Sequence, residues 1–333
     1  MSAIDKTFGS RRRDIIAVAG TLPLLAAAGA LHAQQKFPLL KIVCTFAPGG
    51  TTDLLSRKVA LNMPAGYAGS VIVENKAGAA GQVGVSYVRT LPTDGSVILQ
   101  TAMTMFTLSQ HVQKDPLPYD PVADFIPLTA GCCMDYAYAV GPMVPASVRT
   151  VPEYLAWVRR DAKHATVATA GVVSLIVGAV LGKAAGIDLV NVSYKGGALA
   201  VQDTIAGNVP ALVTTLGDVL PHLGEGRLRL IAVTSDKRSP FVPNVATFAE
   251  QGVADMVHRV YFSFFAHAKM PAEVIAAHSA ALRASLKQQD VVDSLGRATM
   301  EVVATDLKET SELFSRDRAK WAALIAKVGY KPT

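Results

Sequence analysis

The chain has 333 residues, half of them hydrophobic and only 17% charged, which excludes a disordered protein and is enough for about two folded domains. The formal net charge is +6, but outside the first fifteen positions the Lys and Arg residues form no run. A nucleic-acid-binding protein is excluded as the main interpretation, because such a protein needs a basic stripe or patch.

The first 33 residues predict an export signal. Three arginines at positions 11–13 precede an apolar segment, 15–31, that ends in a small-residue cleavage site at Ala33. The segment is short for a membrane span of about 20 residues and contains Pro23. Arg12 and Arg13 fit a twin-arginine signal, but a general secretory signal explains them equally well, and both alternatives stay open. We expect a periplasmic protein with this signal removed.

The next part of the chain alternates between strand and helix patterns. Ile42, Cys44 and Phe46 alternate with their neighbours in a strand that breaks at 48–50 and resumes as a helix from about Thr52. Further strands are predicted at 71–73 and 97–101, with a helix at 83–88 between them. This order predicts a mostly parallel sheet with helices on its faces. Segment 116–127 holds four prolines, and we expect a surface connection there.

A second array of the same kind follows. Strands are predicted at 166–169, 189–194, 209–215 and 228–234, with helices at 174–185, 198–206 and 218–224 between them. Two helices with apolar stripes end the chain, and Gly329 is predicted to cap the last one. Both stripes are expected to be core.

The segment before His267 is rich in aromatic residues. An aromatic cluster of Tyr261, Phe262, Phe264 and Phe265 favours hinge and core packing there, with a ligand-facing ring as the alternative. His258 and Arg259 precede the cluster, and we expect them at the surface, with a place at a cleft edge as the alternative.

The cysteines do not indicate a disulfide framework. Cys132 and Cys133 are adjacent, and Cys44 lies in a predicted strand, so buried free thiols are favoured over a redox pair. The chain has neither of the metal-binding motifs HExxH and CxxC, and we expect no metal site.

The segment FAPGGTTD, residues 46–53, carries the most chemical information. The first turn of a helix presents backbone N–H groups without acceptors and a partial positive charge, which together can hold a carboxylate or phosphate. An equally weighted alternative is a tight turn in which Thr51, Thr52 or Asp53 caps the helix. For Asp53 itself, capping is favoured over a role as a ligand group.

Several segments together resemble the Bug family, the extracytoplasmic substrate-binding proteins of tripartite tricarboxylate transporters. They are FAPGGTTD (46–53), VIVENKAGAAGQVG (71–84), LPTDG (91–95), LPYDPVADF (117–125), VSYKGG (192–197) and LPHLGEGRLRLIAVTSDKRSP (220–240). With the C-terminal helices they extend the resemblance from about residue 37 to residue 332.

The resemblance implies an α/β, two-lobed periplasmic-binding-protein fold of type II, with a ligand cleft between two mostly parallel sheets flanked by helices. Lobe 1 would comprise residues 36–138 and 259–333, and lobe 2 residues 139–258. The cleft would close on a small organic acid, and a membrane permease would be the partner of the expected monomer. The resemblance implies no catalytic residue and no cofactor.

The family resemblance also implies which residues contact the ligand, through backbone N–H groups and small hydroxyl side chains. They are Phe46, Ala47, Gly49, Gly50, Thr51, Thr52, Asp53, Gly81, Thr101, Met103 and Thr104 in lobe 1, and Thr169, Gly171, Val172, Ser174, Thr214, Thr215 and Asp218 in lobe 2.

The chain departs from the family pattern in lobe 2. Val172 and Val173 stand where the family has hydroxyl side chains, and Thr214 and Thr215 where it has an acidic or amide pair. Each lost hydrogen bond removes about 0.5 to 1.5 kcal/mol, so citrate-like polyacids are disfavoured and an apolar or aromatic monocarboxylate is favoured. Asp218 could contact an amino group, but a helix cap is an equal alternative.

Two other functions stay open at this point. A secreted hydrolase or dinucleotide-dependent enzyme would use a nucleophile elbow or a G-x-G-x-x-G turn, and the chain has neither at the required spacing. A ligand-dependent partner of a membrane sensor kinase would use the same fold and cleft as a transport receptor.

Overall fold

The computed structural model describes residues 37–194, 196–224 and 226–330, so the predicted export signal lies outside the described residues. The strands are β1 (Phe37–Cys44), β2 (Ala68–Asn75), β3 (Val97–Ala102), β4 (Phe125–Val140), β5 (Thr166–Thr169), β6 (Val190–Ser193), β7 (Ala211–Thr215), β8 (Arg229–Val233), β9 (Arg259–His267) and β10 (Glu301–Val302).

The α-helices alternate with these strands. They are α1 (Thr51–Leu61), α2 (Gln82–Arg89), α3 (Thr104–Thr107), α4 (Ser109–Val112), α5 (Val151–Val158), α6 (Val172–Ala185), α7 (Gly197–Ile205), α8 (Leu216–Val219), α9 (Ala272–Leu286), α10 (Gln289–Arg297) and α11 (Leu307–Val328). Short 3-10 helices lie at Ala79–Gly81, Ala162–His164, Leu220–His222 and Ala254–Met256.

The strands form two half-sheets that share β4. The first half-sheet has the order β2-β1-β3-β9-β4, and the second has the order β6-β5-β7-β4-β8. In each, three parallel strands are followed by two strands that each run antiparallel to the neighbour before them. The same topology therefore occurs twice, as the two predicted strand-and-helix arrays suggested.

Both half-sheets are covered on their two faces. Leu40 and Ile42 of β1 pack toward α1 and α9, whereas Val43 packs on the opposite face with residues of α2 and α3. The second half-sheet lies between a core that includes α5 and α6 and a core that includes α7 and α8. Strands covered on both faces are apolar throughout, which is why their alternation is weak.

The last helix packs against both half-sheets. Phe314 of α11 shares a core with Phe106 and Phe265, and further along the helix Trp321 shares a core with Tyr138 of β4 and with residues of α6. Asp306 and Glu309 form a capping box at its start, and Gly329 ends it in the left-handed conformation, as predicted.

The structure corrects three expectations. The connection predicted at 116–127 ends at 124, since β4 begins at Phe125. His258 is not at the surface but buried and stacked on Trp321, with ring centroids 4.7 Å apart. Arg259 is not a surface residue either, because its guanidinium donates to buried Asp135 at 2.8 Å and to Glu301 at 2.5 Å.

Several side-chain predictions are confirmed. Phe264 and Phe265 of the aromatic cluster are completely buried in the core, and most residues of both C-terminal apolar stripes are buried as well. The three cysteines are free and buried, with Cys132 Sγ 3.6 Å from Met300 Sδ.

Candidate ligand-binding site between the two half-sheets

The carboxyl ends of the two sets of parallel strands face each other. The last residue of β3, Ala102, pairs with Phe262 of β9, which pairs with Cys132 of β4. Strand β7 runs in the opposite direction to β3, and its last residue, Thr215, pairs with Tyr136 of β4. Measured along β4, these ends are four residues apart, or roughly 13 Å at about 3.3 Å per residue. In open α/β sheets such ends are where ligands bind.

Helix α1 begins at this edge of the first half-sheet, and no side chain caps it. Its N-cap residue is Gly50, and the first intrahelical bond runs from Leu54 N–H to the Gly50 carbonyl. Among the described residues, nothing accepts a hydrogen bond from the N–H groups of Thr51, Thr52 and Asp53. These groups and the helix dipole make the turn suited to an anion.

Asp53 holds the turn before α1 in place. Its carboxylate accepts hydrogen bonds from Gly49 N–H, Arg57 Nε and Asn75 Nδ2, each at 2.9 Å. Asn75 also donates to the Phe46 carbonyl at 3.0 Å. The favoured prediction that Asp53 caps its own helix is therefore wrong, because it accepts from a residue upstream of the helix instead.

The charge of Asp53 is compensated inside the protein. Burial raises the pKa of this carboxyl, but the donors from Arg57, Gly49 and Asn75 outweigh burial and keep the pKa below its usual value. Asp53 is 3% exposed. Its negative charge is thus paired with Arg57 rather than presented to the turn.

A pair of threonines lies beside the α1 turn. Thr45 Oγ1 and Thr101 Oγ1 are 2.7 Å apart and buried. A methyl group added at Gly81 would lie 3.3 Å from the Thr45 hydroxyl and 3.2 Å from Met105 Sδ. The structure therefore brings the glycine-rich segment 78–81 next to the carboxyl ends of β1 and β3.

The second half-sheet presents a similar helix start. The N-cap residue of α6 is Gly171, again without a side-chain cap, and Leu175 N–H makes the first intrahelical bond, to the Gly171 carbonyl. Ser174 does not offer its hydroxyl outward, since it donates to the same carbonyl at 2.8 Å. Val172 is 41% exposed, whereas Val173 is buried. This edge thus offers backbone N–H groups beside an apolar side chain.

Asp218 lies in α8, directly after β7, and is hydrogen-bonded to the end of that strand. Its Oδ2 atom accepts hydrogen bonds from the hydroxyls of Thr214 at 2.6 Å and Thr215 at 2.9 Å. The N-cap residue of α8 is Thr215, and Asp218 accepts no N–H group from the backbone of the described residues, so the helix-cap alternative for Asp218 is wrong.

The predicted contact residues fall into two groups by exposure. Those with exposed or half-buried surface are Phe46, Ala47, Gly49, Gly50, Thr51, Thr104, Gly171, Val172, Thr215 and Asp218. Those that are buried are Thr52, Asp53, Gly81, Thr101, Met103, Thr169, Ser174 and Thr214. All belong to loops, strand ends or short helical turns at the two facing edges, so the register brings the two sets together. Several of the buried side chains form hydrogen bonds within their own edge.

Three residues at these edges were not singled out from the sequence. Thr45 and Asn75 position the first loops, and Tyr136 lies opposite Thr215 where β4 passes from one half-sheet to the other. Asn75 lies within the VIVENKAGAAGQVG segment, which was one signal for it. Tyr136 had no signal, because β4 itself was not predicted.

Within the described part of the chain, no three His, Cys, Asp or Glu side chains are grouped to hold a metal ion. No helix among these residues is both long and apolar enough to cross a membrane.

Comparison with known proteins finds similar sequences over almost the whole chain. A model of the family described as "Tripartite tricarboxylate transporter family receptor" matches residues 55–330. A UPF0065 protein in the tcbD-tcbE intergenic region of Pseudomonas sp. (strain P51) is 26% identical over 324 residues, covering 95% of this chain and 94% of that protein. Protein BugT of Bordetella pertussis is 24% identical over 333 residues, covering 95% and 98%.

A solved structure has the same fold. Periplasmic binding protein BugD superposes with a TM-score of 0.72 at 26% sequence identity, covering 89% of this chain and 99% of that one. The two-lobed periplasmic-binding-protein fold predicted from the sequence is confirmed.

Proposed function

The chain belongs to the tripartite tricarboxylate transporter receptor family, whose members are periplasmic solute-binding proteins, and we propose that it captures a small organic acid between its two half-sheets. The binding would follow from closure, in which one ligand contacts both edges at once. The closed form would then deliver the acid to a membrane permease.

One observation carries this proposal: α1 and α6, two helices of 11 and 14 residues, start at the facing edges with glycine N-caps and no side-chain cap. An uncapped helix start needs an acceptor from outside the helix, which water or an anionic ligand supplies. A carboxylate has the charge and the acceptor oxygens for this position, and it needs no arginine partner.

The ligand body is proposed to be apolar. Val172 exposes 41% of its surface at the start of α6, next to Val173, where the family pattern has hydroxyl side chains. A polyacid would lose donors at this edge, whereas an alkyl or aromatic group would cover the valine. An aliphatic or aromatic monocarboxylate therefore suits this edge better than a citrate-like acid.

Export would place the receptor where this function needs it. The pattern at residues 1–33 supports a cleaved signal, and periplasmic receptors of this kind meet their solutes outside the inner membrane. We propose the same location for this chain, with no catalytic turnover of the captured acid.

A thermal-shift screen of residues 34–333 tests the proposal. Aliphatic, aromatic and nicotinate-like monocarboxylates, dicarboxylates, citrate-like acids and amino acids are each added in excess. An acid at 100 times its Kd should stabilise the folded protein by about 2.7 kcal/mol, which moves the unfolding midpoint visibly. A saturable shift with one class of acid supports the receptor function. No shift with any acid, together with turnover of an ester or nucleotide, would contradict it.

A further inference from the structure

The second half-sheet carries a fixed carboxylate at its ligand-facing edge, and this deepens the proposed function, on which it rests. Asp218 lies in the short helix that follows β7 and is half-buried. Two hydroxyl groups, those of Thr214 and Thr215, donate to the same oxygen, Oδ2. Two bonds to one oxygen fix the orientation of the carboxylate and leave the other oxygen, Oδ1, without a donor among the described residues.

The first residue of α7 lies against this carboxylate. A methyl group added at Gly197, the first residue of α7, would lie 2.0 Å from Asp218 Oδ2 and 2.5 Å from Thr214 Oγ1. Only glycine allows such an approach of the backbone. A side-chain carboxylate thus already lies against the first residue of α7, which is where an anionic ligand group would otherwise bind this helix.

Tyr136 adds a second polar group at this edge. It lies opposite Thr215 in the β4–β7 register and is 9% exposed, and no described residue hydrogen-bonds its hydroxyl. Burial, together with the charge of Asp218, raises the pKa of Tyr136, so its hydroxyl stays protonated at neutral pH.

The two edges therefore differ in the ligand group that they suit. Both edges offer uncapped N–H groups, from α1 and α6, but the carboxylate of the first edge, Asp53, is paired with Arg57. The second edge offers the Oδ1 acceptor of Asp218 and adds negative charge, which repels a second carboxylate and attracts a hydrogen-bond donor.

We propose that Asp218 determines specificity by selecting organic acids that carry a donor, an ammonium or hydroxyl group, at the end opposite the carboxylate. The first edge binds the carboxylate, Val172 covers the apolar middle, and Asp218 Oδ1 accepts from the donor. Diacids of the same length are rejected by the charge of Asp218.

Matched probe pairs test this proposal by calorimetry. The pairs are 6-aminohexanoate with adipate, and 4-(aminomethyl)benzoate with terephthalate, and hexanoate serves as a probe without a second polar group. We expect the amino acid of at least one pair to bind about tenfold or more tightly than its diacid and than hexanoate, as a charge-assisted hydrogen bond would provide. Asp218→Asn should remove this preference by weakening the amino acid and strengthening the diacid.

Two glycine variants test whether a lost preference comes from the position of Asp218 or from misfolding. Gly197→Ala should displace Asp218 and lose the same preference, whereas Gly224→Ala, where a methyl group meets no atom within 4 Å, should keep it. The unfolding midpoints of all three variants show whether each is folded.

The outcomes separate the two proposals. Tighter binding of the diacids to the wild type, or a preference that survives Asp218→Asn, overturns the role of Asp218 and leaves the receptor function standing. If the broader acid screen and all five probes give no binding, the receptor function fails, and the specificity proposal fails with it.

Discussion

Asp53 shows at the residue scale how a carboxylate can lie beside the proposed anion site with its charge compensated inside the protein. It ties Gly49, Arg57 and Asn75 together, and these contacts shape the turn that exposes the first N–H groups of α1. The sequence placed Asp53 in the loop but not its partners, because Asn75 is 22 positions away in the chain.

Asp53→Asn should destabilise the protein by about 1–3 kcal/mol, because buried donors lose a charged acceptor. Since the pKa of Asp53 is lowered on folding, its contribution is present above the unfolded-state pKa and disappears as the pH falls through the folded-state pKa. Urea unfolding at neutral pH measures the loss. Asp290→Asn, which removes an exposed partner of Lys58, is the control and should change stability far less than Asp53→Asn does, because solvent screens an exposed ion pair. Equal effects of the two variants would contradict the role given to Asp53.

His258 is buried in the neutral form. Burial and the charge of Lys320 lower its pKa to about 3, and its ring stacks on Trp321. Between about pH 3 and 6.5 the unfolded chain therefore binds a proton at this position that the folded chain does not.

Stability should accordingly rise with pH across this window and level off above it, with His258 contributing up to about 1.4 kcal/mol per pH unit. His258→Gln should flatten the slope by up to that amount, as measured by urea unfolding from pH 4 to 7. An unchanged slope would show that His258 is protonated in the folded protein.

At the scale of elements, the strands predicted from the sequence are those with short apolar runs between turns. The longest strand, β4, was missed because its first residues belong to a proline-containing segment and both of its faces are covered, which removes the alternating pattern. The site depends on β4, since this strand sets the two edges opposite each other. Tyr136 could not be predicted as a site residue for the same reason.

The pairing of β4 with β9 also carries a buried charge. Asp135, 2% exposed, lies opposite Arg259 in register and accepts its hydrogen bond. Arg259→Met should cost about 3–5 kcal/mol, because it leaves this carboxylate buried without a cation. The double variant Asp135→Asn with Arg259→Met should recover much of the loss in urea unfolding. A double variant as unstable as the sum of the two single ones would contradict a direct pair.

At the scale of the whole molecule, the resemblance in sequence predicted the two-lobed fold, and the repeated half-sheet topology agrees with it. The assignment of residues 259–333 to lobe 1 stays a prediction, and α11 packs against both half-sheets. If the two half-sheets close on a ligand, β4, which they share, and α11, which packs against both, would have to bend or shift.

If closure accompanies binding, the radius of gyration should decrease when a saturating acid is added. Small-angle X-ray scattering of residues 34–333 with and without the acid of largest thermal shift measures this change, and the buffer with sodium chloride at equal ionic strength is the control. An unchanged radius of gyration with saturated binding would show that the ligand binds without closure.

Calorimetric titration of the acid with the largest thermal shift into variants of each edge shows whether the acid contacts both facing edges. Thr52→Val removes a hydroxyl at the first edge, and Thr215→Val removes one of the two hydroxyl donors that hold Asp218 at the second. Thr93→Val, in the loop at the amino end of β3, is the control. A lost hydrogen bond of about 0.5–1.5 kcal/mol predicts binding roughly 2- to 13-fold weaker for each edge variant and unchanged for the control. Binding that neither edge variant weakens would place the acid outside the facing edges and contradict the account.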